Sequence, residues 1–182
     1  ERSSPDLPAP ALQYGLSAGL DPEHPTDGFS IAALPLRPTS RGRITLASTD
    51  PYEDPIIDPQ LLSTEKDVDD IVTSIRRARE IAQADALDEY RAEEARPGSD
   101  VQTDEEIADY CRDIAESGYH PVGTCKMGDD AMAVVDDDLR VHGLEGLRVI
   151  DASIMPNLVS GNTNAPTIAI AEKGADLLKD DL

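Results

Sequence analysis

Residues 119–128 read YHPVGTCKMG and residues 160–178 read SGNTNAPTIAIAEKGADLL, and these two stretches decide the fold class and the candidate site. In the first, a proline and two glycines surround His120, which predicts a rigid loop that fixes the imidazole on its scaffold. A single histidine is more often a structural hydrogen-bonding residue than a catalyst. From the local pattern alone, both interpretations stay open.

The second stretch predicts the last helix of the chain, from about Pro166 to Lys179. Proline suits the first helical turn, and Asn164 can cap the helix. Capping leaves the other asparagine of the stretch, Asn162, without an explanation. The N-terminus of a helix also offers free N–H groups and positive potential to an anionic group of a ligand.

Between these stretches, residues 146–156 read GLRVIDASIMP, in which Leu147–Ile150 is a short strand candidate followed by Asp151. An acid at the carboxyl end of a strand can present a carboxylate or main chain to a ligand. A strand followed by an Asx turn explains the same residues without a ligand, and on the residues alone that interpretation is favoured.

Further upstream, the pattern predicts extended segments. Phe29–Pro38 is apolar and bounded by glycine and proline, and Arg43–Ser48 alternates polar and apolar residues as a half-buried strand does. Thr39–Gly42 is the predicted turn between them. Asp54–Pro59 is a short extended piece, because each aspartate precedes a proline that disfavours helix.

Two helices are predicted from their starting residues. Thr64 with Asp67 three residues later resembles a capping box, and apolar residues then recur at helical spacing as far as residue 81. Thr103 and Glu106 form the same pattern at the start of a second helix, for which Gly118 is the expected residue just after the C-terminus.

The composition of the 182 residues sets limits on the class of protein. Asp and Glu number 37 against 16 Lys and Arg, for a net charge of −21, while hydrophobic residues reach 39% and still permit a core. Such a charge repels nucleic acid phosphates and anionic lipid. No apolar run is long enough for a transmembrane segment, and peripheral membrane contact stays open. The two cysteines cannot make a disulfide framework.

The acidic residues are spread along the whole chain, and only four of the 16 basic residues are lysine. An acidic interaction module without catalysis would concentrate its charge in one segment. The dispersed pattern favours a cytoplasm of molar salt, where screening reduces self-repulsion. We therefore expect a halophilic, cytoplasmic protein.

Four stretches taken together carry a family resemblance: PTSRGRITL (38–46), YHPVGTCKMG (119–128), LRVHGLEGLRVIDASIMP (139–156) and SGNTNAPTIAIAEKGADLL (160–178). They resemble the C-terminal part of the glucose–methanol–choline (GMC) oxidoreductases, particularly the choline dehydrogenase-like branch. The resemblance implies FAD as cofactor and base-assisted hydride transfer from a primary alcohol such as choline to flavin N5. Hydroxynitrile lyase chemistry, also found in this family, is the alternative reaction.

The resemblance also implies roles for individual residues. The histidine of the HPVGT motif is the family's catalytic base and corresponds to His120. The second active-site position is His or Asn in the family and corresponds to Asn162, while Asn164 corresponds to a flavin-contacting or helix-capping residue. Asp151 and Ala152 correspond to contacts with the ribityl–pyrophosphate part of FAD.

Two further residues, Pro166 and Thr167, correspond to the start of the helix aimed at the flavin pyrimidine ring. No metal is implied. The implied fold is α+β: an antiparallel substrate-domain sheet with flanking helices, plus a C-terminal segment that returns to complete an FAD-binding α/β domain. We assign residues 1–27 to a connector, 28–118 to the substrate-binding portion, and 119–182 to the active-site loop and return segment.

The sequence departs from the family pattern in one respect. The Gly-rich nucleotide-binding loop of the family, G-x-G-x-x-G after a strand, does not occur in the 182 residues. Because the chain also starts at Glu1 without Met, we expect an N-terminal FAD-binding half to be its partner. The chain alone is expected to hold FAD poorly and to be inactive.

Overall fold

The computed structural model describes residues 9–18 and 28–181, which form two compact units. The described residues of the helical unit fall within Glu1–Gly42 and Pro59–Glu116, and those of the loop unit fall within Arg43–Asp58 and Ser117–Leu182. The candidate residues of the two diagnostic stretches all belong to the loop unit.

The helical unit contains a two-stranded antiparallel sheet. Strand β1 (Leu12–Ala18) pairs with β2 (Phe29–Pro35), with Leu12 opposite Pro35 and Ala18 opposite Phe29. Strand β2 confirms the predicted extended segment, although it ends three residues earlier. Strand β1 was not predicted, because its seven residues fall within the segment assigned as a connector; residues 1–8 and 19–27 of that segment lie outside the described residues.

Helix α1 (Glu65–Ala82) begins at the predicted N-cap, Thr64, whose hydroxyl accepts from the backbone N–H of Asp67. The expected capping box is only half formed. The carboxylate of Asp67 is buried and accepts instead from the backbone N–H groups of Thr39 and Ser40, at 2.8 and 2.7 Å. Burial acts to raise the pKa of Asp67, but the hydrogen bonds from Ser40 and Thr39 together lower it. The prediction of a turn at Thr39–Gly42 is wrong, because the bend lies earlier, at residues 36–37, and Thr39 and Ser40 are instead fastened to the first turn of α1.

Helix α2 (Asp104–Ile114) has the complete capping box that the sequence predicts. The Thr103 hydroxyl accepts from the N–H of Glu106, and the Glu106 carboxylate accepts from the N–H of Thr103 at 2.8 Å. The prediction for the other end is wrong, because the helix ends at Ile114 with Ala115 as its C-cap, and Gly118 lies three residues beyond that cap. The core of the helical unit consists of Val72, Ile107, Ala108 and Cys111, with partly buried neighbours on both helices.

A further short 3-10 helix, at Asp85–Tyr90, also belongs to the helical unit. Neither this helix nor its bounds were predicted. No residue in it is buried, so no apolar periodicity marks it in the sequence.

In the loop unit, strands β3 (Arg43–Thr45) and β4 (Ile56–Asp58) pair antiparallel, with Ile44 opposite Ile57. The expectation of a half-buried strand at Arg43–Ser48 is wrong, because all three residues of β3 are exposed. Half-burial requires a second layer on one face, and Ile44 and Ile57 remain 52% and 67% exposed.

The predicted strand at Leu147–Ile150 is replaced by a looser arrangement. Backbone N–H groups of Val141 and Val149 donate to the carbonyls of Leu147 and Leu139 at 3.0 and 3.1 Å, but the pairing amounts to one isolated bridge rather than a ladder. Gly143 and Gly146 both have positive φ and close a short loop between the paired segments. The two segments face each other over too few residues for a regular strand.

Helix α3 (Asn164–Asp180) packs over the core of the loop unit, which consists of Val135, Leu139 and Ile154 with surrounding partly buried residues. Gly174 is the buried residue of the helix, and it contacts Ile150. A Cβ atom at residue 174 would lie 2.3 Å from Cγ2 of Ile150, well inside van der Waals contact. The absence of a side chain at Gly174 therefore sets how close α3 lies to the segment before Asp151.

The fold class is confirmed at the level of a mixed α+β chain with small antiparallel sheets. The described residues contain two separate two-stranded sheets in place of one larger sheet. No helix among them is both long and apolar enough to cross a membrane.

We predict that Gly174→Ala destabilises the protein, although alanine is the better helix former by about 1 kcal/mol. The clash with Ile150 costs about 1–3 kcal/mol, the usual effect of overpacking a core. Urea unfolding monitored by circular dichroism measures the change in the free energy of unfolding.

The control is the double variant Gly174→Ala with Ile150→Ala. Removing the Ile150 side chain removes the clash, so in that background the Gly174→Ala change should be neutral or stabilising. Stabilisation by Gly174→Ala in the wild-type background would contradict the packing described here.

Candidate active site

His120 follows the end of α2 in a loop whose backbone is strained one residue earlier. Tyr119 has φ of 60°, in the left-handed region that non-glycine residues rarely adopt, and its N–H donates to the Ser117 hydroxyl at 3.0 Å. Such conformations cost about 1–3 kcal/mol and persist where the surrounding contacts enforce them. The strained Tyr119 directly precedes His120, which is half-buried.

The loop after His120 is fixed by pairing with the segment 153–155. The N–H of Cys125 donates to the carbonyl of Ser153 at 3.0 Å, and the N–H of Met127 donates to that of Ile154 at 2.8 Å. Gly123, with φ of 87°, would place a Cβ atom 3.2 Å from the carbonyl oxygen of Met155. The glycine of the HPVGT motif is thus required both by its backbone conformation and by close approach.

The structure brings His120 and Asn162 together, although they are 42 residues apart in the chain. The side-chain amide nitrogen of Asn162 lies 2.9 Å from Nε2 of the imidazole. An amide nitrogen carries only donors, so Nε2 is the acceptor of this hydrogen bond. The lone pair of the imidazole therefore lies at Nε2, and a lone pair is what a base needs to accept a proton.

The other ring nitrogen of His120 contacts a residue that the sequence analysis did not single out. Nδ1 lies 2.9 Å from the hydroxyl oxygen of Thr163, and Thr163 is only 8% exposed. The residue stands between the two asparagines, and no local pattern marks it. Its contact with His120 spans 43 residues of sequence and appears only when the chain is folded.

The assignment of Asn164 as the cap of the last helix is wrong. Asn164 is the first residue of α3, the N-cap position is occupied by Thr163, and the helix begins without a side-chain capping bond. Pro166 lies within the first turn as predicted. Thr167 donates from both its N–H and its hydroxyl to the carbonyl of Thr163, at 3.0 and 2.7 Å.

Asp151 and Ala152 lie at the start of a short 3-10 helix, Ala152–Ile154, whose Ser153 and Ile154 carbonyls accept from the histidine loop. The Asp151 carboxylate accepts from the N–H of Ser153 at 2.8 Å, the Asx turn favoured from the residues alone. Ala152 is partly buried. This pairing places the two residues beside the loop that carries His120.

The other reactive side chains of the described residues show no comparable arrangement. Burial raises the pKa of the Cys111 thiol, which lies in the core of the helical unit. No group of three or more potential metal ligands occurs in the part of the chain that the structure describes.

A family model described as GMC oxidoreductase matches residues 38–171, well over half of the chain. The chain belongs to the GMC oxidoreductase family. The match includes His120, Asn162 and the paired segments around them.

Choline dehydrogenases are among the curated relatives of this GMC oxidoreductase chain. The chain is 53% identical over 152 residues to the oxygen-dependent choline dehydrogenase of Proteus mirabilis, covering 84% of this chain and 27% of that protein. It is 46% identical over 185 aligned positions to the human mitochondrial choline dehydrogenase, covering 98% of this chain and 31% of that protein. The chain thus spans less than a third of the length of either relative.

Solved structures of other family members share the fold. Pyridoxine 4-oxidase from Mesorbium loti matches with a TM-score of 0.86 and 34% identity, over 94% of this chain and 35% of that one. An FAD-dependent oxidoreductase from Chaetomium thermophilum matches with a TM-score of 0.79 and 34% identity, over 87% of this chain and 28% of that one.

Proposed function

We propose that this chain supplies the catalytic base and its partner to an FAD-dependent enzyme that oxidises a primary alcohol, choline or a similar compound. The supporting observation is the hydrogen-bonded pair of His120 and Asn162, formed by the two stretches that are diagnostic of the family. The choline dehydrogenase relatives support the substrate class. A catalytic pair of this kind also favours an enzyme over an acidic interaction module.

The donor groups of the chain fit FAD at the start of α3. This 17-residue helix begins without a side-chain cap, so its first N–H groups and its positive end are available to an electron-rich edge of a ligand. We propose that Asn164, Pro166 and Thr167 hold the flavin ring there, and that Asp151 and Ala152 contact the ribityl–pyrophosphate part. FAD, when bound, supplies the acceptor for the hydride of the alcohol.

His120 removes the hydroxyl proton of the alcohol. A neutral imidazole with its lone pair at Nε2 can accept the hydroxyl proton, and histidine is the residue that most often serves as a general base. In the reaction the alcohol hydroxyl replaces the Asn162 amide as the donor to Nε2. The proton then moves from the alcohol oxygen to Nε2.

Asn162 acts on the same oxygen. Its amide cannot titrate, but it can donate a hydrogen bond that strengthens as negative charge develops on the alcohol oxygen. Because the amide nitrogen lies 2.9 Å from Nε2, one oxygen atom can contact both groups after a small shift. The pair therefore combines proton removal with stabilisation of the alkoxide-like oxygen.

Each part of the chain has a role in the proposed enzyme. Residues 28–118 contribute to the substrate-binding portion, and residues 119–182 carry the active-site loop and return to the flavin domain. The N-terminal FAD-binding half, with the Gly-rich loop, is the partner that completes the enzyme.

We predict that His120→Ala slows reduction of bound FAD by the alcohol roughly 10²–10⁴-fold, the usual contribution of a positioned general base. Asn162→Ala should slow the same step by roughly 10²–10³-fold, because the developing oxyanion loses a donor. Asn164→Ala should act mainly through retention of FAD. Stopped-flow absorbance of the complete FAD-loaded enzyme measures the rate, and the flavin content of each variant is checked first.

His142 provides a matched control, since Nε2 of its ring donates to the carbonyl of Gly128 at 3.0 Å and takes no part in the proposed site. His142→Ala should reduce at the wild-type rate. Wild-type reduction by the His120→Ala variant would disprove the assignment of the base. Greater damage from Asn164→Ala than from Asn162→Ala, with flavin retained, would exchange the roles of the two asparagines.

We also propose that the protein works in a cytoplasm of molar salt. The charge of −21 produces strong self-repulsion at low ionic strength. Many ion pairs of the described residues are exposed and close in sequence, such as Arg112 with Asp109 and Lys179 with Asp176, and pairs of this kind stabilise a fold only slightly. When salt is added, screening of the excess negative charge should therefore change the stability of the fold more than weakening of these ion pairs does.

We predict that the thermal unfolding midpoint rises by several degrees between about 0.1 M and 2–3 M KCl, since the Debye length falls from about 10 Å to about 3 Å or less. Differential scanning calorimetry measures the midpoint. Sucrose serves as the control, because it favours burial without screening charge. An unchanged or lower midpoint in KCl would contradict adaptation to high salt.

A further inference from the structure

Thr163 occupies the N-cap position of α3 but does not cap the helix. A threonine at this position normally has an extended backbone, and its hydroxyl accepts from an N–H of the first turn. Thr163 has φ of −86° and ψ of −7°, and no side-chain capping bond is formed. Its hydroxyl oxygen lies instead 2.9 Å from Nδ1 of His120.

The other two α-helices of the described residues have the N-cap hydrogen bond that α3 lacks. Thr64 and Thr103 also stand at N-cap positions, both with extended backbone, and both hydroxyls accept from the backbone as expected. Losing such a bond lowers the stability of a helix. At α3 the same residue type is thus used for a contact with the imidazole rather than for its own helix.

The two contacts of His120 specify where its proton lies. The Asn162 amide nitrogen donates to Nε2, so a neutral ring carries its hydrogen at Nδ1. The Thr163 hydroxyl oxygen is then the acceptor for Nδ1–H. We propose that Thr163 is a positioning residue that holds His120 in the Nδ1–H tautomer, with the lone pair of Nε2 directed to the substrate.

The backbone that carries the Thr163 hydroxyl is held in place by the first turn of α3. The carbonyl oxygen of Thr163 accepts two bonds from Thr167, from its N–H at 3.0 Å and from its hydroxyl at 2.7 Å, and the residue is 8% exposed. The orientation of the imidazole is therefore set by the first turn of α3. As His120 becomes positively charged on taking a proton, the bond from Nδ1–H to Thr163 also becomes charge-assisted and stronger.

This inference rests on the proposed function, so the test separates the two. In the complete FAD-loaded enzyme, Thr163→Val keeps the shape of the side chain and removes the hydroxyl. We expect the rate of FAD reduction at saturating alcohol to fall about tenfold or more, equivalent to one lost hydrogen bond to a group that becomes charged. KM should change much less than kcat. Thr163→Ser, which restores the hydroxyl, should recover most of the rate.

Thr64→Val is the matched control, because it removes the hydroxyl of an N-cap threonine that does cap its helix. Thr64→Val should lower the unfolding midpoint and leave the reduction rate unchanged. Thr163→Val should lower the reduction rate and leave the unfolding midpoint nearly unchanged. In a His120→Ala background, Thr163→Val should have no further effect on the rate, because the threonine acts through the histidine.

The tautomer itself provides a readout that does not depend on turnover. Imidazole ¹⁵N chemical shifts of the histidine-labelled enzyme distinguish a protonated from an unprotonated ring nitrogen, and the His120→Ala spectrum assigns the signal. We expect hydrogen at Nδ1 in the wild type and in Thr163→Ser, and a mixture of tautomers in Thr163→Val. If Thr163→Val does not retain FAD, Thr163→Ala replaces it in both measurements.

The outcomes distinguish the two proposals. A wild-type reduction rate in His120→Ala would overturn the proposed function. Damage in His120→Ala together with wild-type rate and tautomer in Thr163→Val would overturn the role of Thr163 alone. Hydrogen at Nε2 in the neutral wild-type enzyme would also overturn it.

Discussion

The imidazole of His120 is held at both ring nitrogens by two consecutive residues, Asn162 and Thr163, and the rest of the loop unit makes this possible. The side chains of Asn162 and Thr163 can reach the ring only if the segment before α3 lies against the loop after α2. Helix α3 therefore starts where the site requires and forgoes a side-chain cap. In this region the requirements of the site override the local preference of the helix.

The approach of the two stretches is secured through the segment between them. Backbone bonds from Cys125 and Met127 attach the histidine loop to Ser153 and Ile154, and the close contact of Gly174 with Ile150 attaches α3 to the same segment. Most of these connections are made by main-chain atoms or by the absence of a side chain.

Helices whose start is encoded locally were predictable from the sequence. The capping residues of α1 and α2 and the apolar periodicity behind them identify both helices, because the signal and the structure lie within a few residues. Strands were less predictable: β3 lacks a covering layer, and Leu147–Ile150 pairs over too short a length, and both outcomes depend on distant parts of the chain.

Within the candidate site, too, some residues could be identified from the sequence and others only from the fold. His120 and Asn162 could be selected because their surroundings match a family pattern, and the fold places their side chains in contact. Thr163 could not be selected, because a threonine beside a helix start is expected to cap the helix. Only the folded chain shows that its hydroxyl faces Nδ1 of His120 instead.

The most direct test of the central claim, that this pair is the reaction centre, is a crystal structure of the complete FAD-loaded enzyme with an unreactive analogue of the alcohol. The account predicts that the analogue's oxygen lies within hydrogen-bonding distance, about 2.6–3.2 Å, of both Nε2 of His120 and the Asn162 amide. An oxygen bound away from both groups, with the flavin in place, would contradict it.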